Sequence, residues 1–134
     1  MRTKHTLTLD DAKRIALAAQ AEADRNAWQV VIAIVDDAGH LLYLQRDQAQ
    51  IGSIEVAIQK AKASALFKRP TKFWEDLVAE GKLGYLVMPG MLPIEGGLPL
   101  LIEGACLGAI GVSGVTAVQD GQIAAAGVQA LTSI

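Results

Sequence analysis

Four charged residues stand at the ends or edges of apolar runs, where a side chain can meet a ligand without leaving water altogether. Asp36 closes one such run, Arg46 and Asp47 close the next, and Lys62 lies among alanines, one position from a strict inner-face helical row. Arginine grips a carboxylate with two parallel hydrogen bonds and lysine supplies a point charge, so Arg46, Asp47 and Lys62 together suit an anionic ligand. In a catalytic version of the same idea, Arg46 anchors the carboxylate of an organic acid. Lys62 or Asp47 then moves the proton, as an isomerase, hydratase or lyase requires. A structural ion pair or a solvated helix flank fits these residues as well.

Other familiar chemistries fail on spacing. Gly108, Gly111 and Gly114 lie within an expected strand and at the wrong spacing for a phosphate loop, which needs a strand, a tight turn and a helix opening at the glycines. Close approach of a small-faced helix explains them better. Ser113 sits between glycines as in a nucleophile elbow, but Val115 occupies the place of the last glycine. The two histidines, His5 and His40, do not form a metal-ligand pair. Either one, or Met88, Met91, Tyr43, Tyr85 or Cys106, has the chemistry to ligate a haem iron, and the sequence does not choose among them.

Hydrophobic spacing indicates the elements that position these groups. Thr8, with Asp11 three residues on, opens a helix whose inner face is Leu9, Ala12, Ile15, Ala16, Ala19 and Ala23. Trp28 to Val35 and Leu41 to Arg46 read as two strands joined by the turn Asp36-Asp37-Ala38-Gly39-His40. Ser53 caps a second helix that Pro70 stops, and Thr71 opens a short third one carrying Phe73 and Trp74. Lys60, Lys62 and Lys68 suit the negative end of the second helix dipole. Pro93 to Glu95, Leu98 to Glu103 and Cys106 to Val115 read as three further strands, the last two a hairpin. Thr116 with Gln119 caps a final helix. The order α-β-β-α-α-β-β-β-α with hairpin connections predicts an antiparallel α+β layer fold.

Bulk composition narrows the partners. At 134 residues the chain is expected to form one domain spanning 1–134, with a core of Ala, Val, Ile and Leu, because only 4% of its residues are aromatic. A net charge of −2 argues against a nucleic-acid binder, which normally carries a basic face. A single cysteine, Cys106, fits a reducing compartment. The opening Met1-Arg2-Thr3-Lys4-His5 has no apolar core of a signal peptide, and prolines, glycines and glutamates interrupt the apolar stretch from Tyr85 to Val118. A cytoplasmic protein with no membrane partner is expected.

Taken in order, Asp36, Gly39, Arg46-Asp47, Ser53, Lys62-Ala63-x-Ala65, Gly96-Gly97-Leu98-Pro99, Gly108-Ala109-Ile110-Gly111-Val112-Ser113-Gly114 and Asp120 resemble the GlcG/HbpS-like family. This is also called the haem-degrading domain family and includes the C-terminal domain of PduO. The resemblance covers about Leu7 to Leu131. It implies a profilin-like, five-stranded antiparallel sheet flanked by helices, and homo-oligomers, often tetramers or octamers. It also implies haem or another tetrapyrrole as the ligand of some members, and a setting in catabolic operons for many others. No iron ligand comes with the shared pattern. The expected function is therefore cytoplasmic binding of a small ligand, with a tetrapyrrole as the ligand class. The site is expected along Gly96, Gly97 and Ser113, with Arg46 and Lys62 meeting carboxylates. The organic-acid enzyme is the alternative.

Overall fold

Thr8 starts the first helix as its spacing to Asp11 predicts. The Thr8 hydroxyl accepts from the Asp11 N–H at 3.1 Å and the Asp11 carboxylate accepts from the Thr8 N–H at 2.8 Å, and α1 runs Leu9–Arg25. The structure, a computed structural model, describes residues 1–133. A second reciprocal cap, Thr116 with Gln119, opens the last helix, α4 (Ala117–Ala130). Between them lie α2 (Ser53–Phe67) and α3 (Thr71–Ala79). The cap of α2 differs from expectation by one residue. Gly52 holds that position without a side-chain bond, and Ser53 is the first helical residue, its hydroxyl accepting from the Gln50 amide at 3.1 Å.

Among the described residues four strands, not five, form the sheet: β1 (Val31–Asp36), β2 (Leu41–Arg46), β3 (Gly97–Ile102) and β4 (Ala105–Ser113), antiparallel in the order β2-β1-β4-β3. The strand expected at Pro93 to Glu95 is absent. Pro93 has no N–H to offer a ladder, the Ile94 N–H turns back to the Leu92 carbonyl, and the Glu95 N–H goes to the Glu75 carboxylate. The element order is accordingly α-β-β-α-α-β-β-α, with short 3₁₀ segments at Leu83–Val87 and Leu131–Ser133. The first strand starts at Val31 rather than Trp28, because the Trp28 N–H is used to close α1 on the Ala23 carbonyl. The β3–β4 hairpin turns through Glu103 and Gly104, both at positive φ (50° and 81°), the combination a tight hairpin of matching twist requires.

Alternation along β1 divides the core in two. Val31, Ala33 and Val35 meet Ala57, Ala61 and Ala65 of α2 on one face. Ile32 and Ile34, with Ile110 and Val112 of β4, meet Ile15, Ala19, Ile123 and Ala124 of α1 and α4 on the other. Each large side chain buried there contributes about 1.5–3 kcal/mol. The α2 face is instead built on close approach. A Cβ at Gly111 would stand 2.0 Å from the Ala57 carbonyl oxygen, and one at its ladder partner Gly97 would stand 2.4 Å from that of Lys60. Only glycine at both positions lets the α2 backbone rest directly on the sheet.

Candidate functional site

The glycine-rich segment is filled by the protein itself. Lys60 runs past the point where β3 begins. Its Nζ donates to the Val112 carbonyl at 3.0 Å and to Asp120 Oδ2 at 2.9 Å. A Cβ at Gly96 would lie 2.8 Å from this ammonium. Lys60 and Asp120 are 1% and 2% exposed, so the pair is a buried bridge from α2 to α4 around the sheet. Asp120 Oδ1 also accepts from the Val115 N–H at 3.2 Å. Burial pushes the Asp120 carboxyl above its ordinary range, against the pull of Lys60. This buried role differs from the dipole-compensating flank expected for Lys60 with Lys62 and Lys68. The place of Lys60 in the row Ala57-Lys60-Ala61-Ser64, at spacings of three and four, is the signal that could have shown it facing inward.

Arg46 and Lys62 do not meet. Arg46 pairs with Val31 at the start of β1, whereas Lys62 lies with its Cγ against Gly39, beyond Asp36 at the other end of that strand. Five strand steps separate these ends by about 17 Å. Ser113 also pairs with Val31, on the side opposite Arg46, which puts these two residues about 10 Å apart on one face. Ser113 is buried, and Gly96 and Gly97 lie under α2. Asp36 is a turn former, its Oδ1 accepting from the Ala38 and His40 N–H groups at 2.9 Å.

What the fold does bring together is Arg46 with Asp47. They line a polar groove of about 390 Å³, opposite Gln20 and Asp24 of α1 and beside Gln29 and Gln45. Three of its lining residues, Gln45, Gln20 and Asp24, belong to a one-directional relay that starts outside the groove at Tyr43. The Tyr43 hydroxyl donates to Gln45 at 3.2 Å, Gln45 to Gln20 at 2.7 Å, and Gln20 to Asp24 at 2.8 Å. Arg46 is tied by one Nη1 bond to the Ala49 carbonyl at 3.1 Å.

At the opposite end of α1 lies a cleft of different character. Leu7, Leu107, Ile102 and Leu131 line most of about 240 Å³, with His5, Thr6 and Asp11 forming its polar side. A second cleft of about 340 Å³ shares Ile102 and Leu131 and extends to Leu101 and Thr132. Leu7 is held there over Gly108, where its Cδ1 would stand 3.1 Å from an added Cβ. Of the side chains with iron-ligating chemistry, His5 is the one that lines this apolar space. Tyr43 is engaged with Gln45, Tyr85 packs on Trp74, and the Cys106 thiol contacts the Gly108 carbonyl. Among the described residues no group of three His, Cys, Asp or Glu is arranged to hold a metal ion, and no helix is long and apolar enough to cross a membrane.

A four-stranded antiparallel sheet, with one close-packed helix on one face and a helix pair on the other, defines an α+β layer protein. The family described as haem degrading protein HbpS-like matches residues 7–129. Protein GlcG of Escherichia coli (strain K12) is 41% identical over 115 residues, covering 84% of this chain and 85% of that protein. The crystal structure of Klebsiella pneumoniae ORFY superposes with a TM-score of 0.92 at 28% identity, covering 100% of this chain and 96% of that one. A PduOC:heme complex superposes at 0.84 with 28% identity, covering 94% and 95%. The chain belongs to the HbpS-like family.

Proposed function

We propose that this protein binds haem or a related tetrapyrrole, and that it does so in the apolar cleft beside His5. The observation that carries the reading is the placement of a histidine against a mostly apolar space, lined by Leu7, Ile102, Leu107 and Leu131 beside Thr6 and Asp11, that continues past Ile102 and Leu131 into the neighbouring cleft of about 340 Å³. A tetrapyrrole needs that combination: an apolar slot for the macrocycle and one ligand for the metal. The structural likeness to a protein crystallised with haem supports the ligand class. When bound, a haem would supply an iron centre, and His5 is the residue that would hold it. The chain's part is to present His5 and to exclude water with the four aliphatic side chains. The packed glycine segment offers no such slot, since its Cβ positions are already occupied by α2. From the family resemblance we further propose a homo-oligomer of four or eight chains, which light scattering tests, and from the composition a cytoplasmic location, which cell fractionation tests.

Titration with hemin tests the site. The expected result is a shifted Soret band that saturates at one equivalent per chain. His5→Ala should change the position of the bound band and Ile102→Asp should weaken binding, while Arg46→Ala and Lys62→Ala, at other places in the fold, should leave it unchanged. Absence of saturation, or His5→Ala and Ile102→Asp titrating like the parent protein, overturns the reading.

A further inference from the structure

We infer that the polar groove at the far end of α1 is a separate binding site for a small zwitterion of the α-amino-acid class. Asp11, at the apolar cleft, and Asp24, in the groove, are thirteen residues apart on α1, about 20 Å. The two spaces are therefore independent, and this inference does not rest on the tetrapyrrole reading.

The groove's charges select its ligand. Arg46 offers one cation, while Asp24 and Asp47 offer two carboxylates. A plain carboxylate would be drawn by Arg46 and repelled by both aspartates, and a plain amine would meet the reverse conflict. A molecule carrying both a carboxylate and an ammonium satisfies the two signs together. The bond to the Ala49 carbonyl fixes one nitrogen of the guanidinium and leaves its other donors for a carboxylate. Asp24 accepts from Gln20 through Oδ1, which leaves Oδ2 for an ammonium. Among the described residues neither Asp47 nor Gln29 makes a side-chain hydrogen bond, so both hold capacity for a ligand's polar groups.

Preorganisation and size point the same way. The relay Tyr43→Gln45→Gln20→Asp24 runs from strand to helix with every bond in one sense, which holds the amides in place before any ligand arrives. Val30, buried at the base, gives a short aliphatic floor. About 390 Å³ accommodates an amino acid with a small or polar side chain. Among the described residues no aromatic side chain lines the groove, so it lacks the stacking surface a sugar ring or nucleobase uses.

The test is amide NMR of the full chain titrated separately with L-alanine, L-serine and L-glutamine, and with the half-ligands acetate and ethylamine. At least one amino acid should give saturable shifts at Gln20, Asp24, Gln45 and Arg46, with each half-ligand weaker. Arg46→Gln and Asp24→Asn, both at exposed positions, should each weaken that binding roughly tenfold or more while leaving the rest of the spectrum in place. No saturable shift at tens of millimolar, half-ligands binding as well as the amino acids, or variants binding like the parent would each overturn the inference. Because hemin is not a component, failure here and failure of the tetrapyrrole site are told apart.

Discussion

Lys60→Met should destabilise the protein more than any surface lysine substitution, and by an amount that depends on pH. Methionine retains most of the aliphatic stem but removes the ammonium. Asp120 then keeps only the Val115 N–H, and the Val112 carbonyl loses the Lys60 donor. Removing one partner of a buried ion pair costs about 3–5 kcal/mol. That is a large share of the roughly 5–15 kcal/mol that holds a domain together. At a urea dependence of about 1–3 kcal/mol per molar, the midpoint should fall by roughly 2 M. The pH dependence follows from Asp120, whose folded-state pKa lies above the ordinary 3.8 because burial penalises its charge. The folded protein therefore holds that proton more tightly than the unfolded chain does. Its contribution is fully present below about 3.8 and is lost as pH rises through the folded value. Without Lys60 the ionised form is worse off still, so the deficit of Lys60→Met should be smaller at pH 4 than at pH 7. Lys60→Met with Asp120→Asn removes both charges and keeps an acceptor for Val115, and should recover at least half of the loss. Urea unfolding of parent, single and double variants at both pH values measures all of this. A single variant within about 0.5 kcal/mol of the parent, the range of ordinary surface substitutions, would rule out a stabilising role for the Lys60 ammonium. A double variant no better than the single would rule out the unpaired Asp120 as the source of the loss.

Three further outcomes follow from the packing. Gly111→Ala places a Cβ 2.0 Å from the Ala57 carbonyl oxygen, a clash with helix backbone rather than with a movable side chain, and should cost about 3 kcal/mol or more in urea unfolding. Gly84→Ala, with nothing within 4 Å of its added Cβ, is the control and should cost little. Thr116→Ala removes the side chain that accepts from the Gln119 N–H and should cost about 1 kcal/mol by thermal or urea unfolding. Thr71→Val removes the hydroxyl that accepts from the Gly97 N–H at 2.9 Å, leaving a buried donor unpaired, and should cost about 1–3 kcal/mol.

Features decided within a few residues were readable from the sequence, and features decided across layers were not. The caps at Thr8 and Thr116 depend on a partner three residues away, and both are present as reciprocal bonds. The turn at Glu103-Gly104 and the small inner face of α1 are equally local. Lys60 is the opposite case: its partner Asp120 lies 60 residues on, and a long flexible side chain can be a solvated flank or a buried bridge with the same local spacing. Pro93 to Glu95 alternates like a strand, but whether it joins a ladder depends on which backbone groups Glu75 and Leu92 take first. The expected meeting of Arg46 with Lys62 required both to face one end of the sheet. The pairing of Arg46 with Val31 and the contact of Lys62 with Gly39 set them at opposite ends. The neighbourhood of Arg46 and Asp47 was visible because they adjoin in sequence. The helix residues that complete their groove, Gln20 and Asp24, carry no motif that could announce it.

If hemin binds in the cleft beside His5, its iron broadens the methyl signals around it as hemin is added to the protein. The methyl NMR spectrum should then lose Leu7, Ile102, Leu107 and Leu131 selectively as one equivalent binds, with Val30 and Val31 at the other end of α1 unaffected. Broadening centred on the glycine strand or on the Arg46 groove, or uniform broadening without saturation, would contradict that placement.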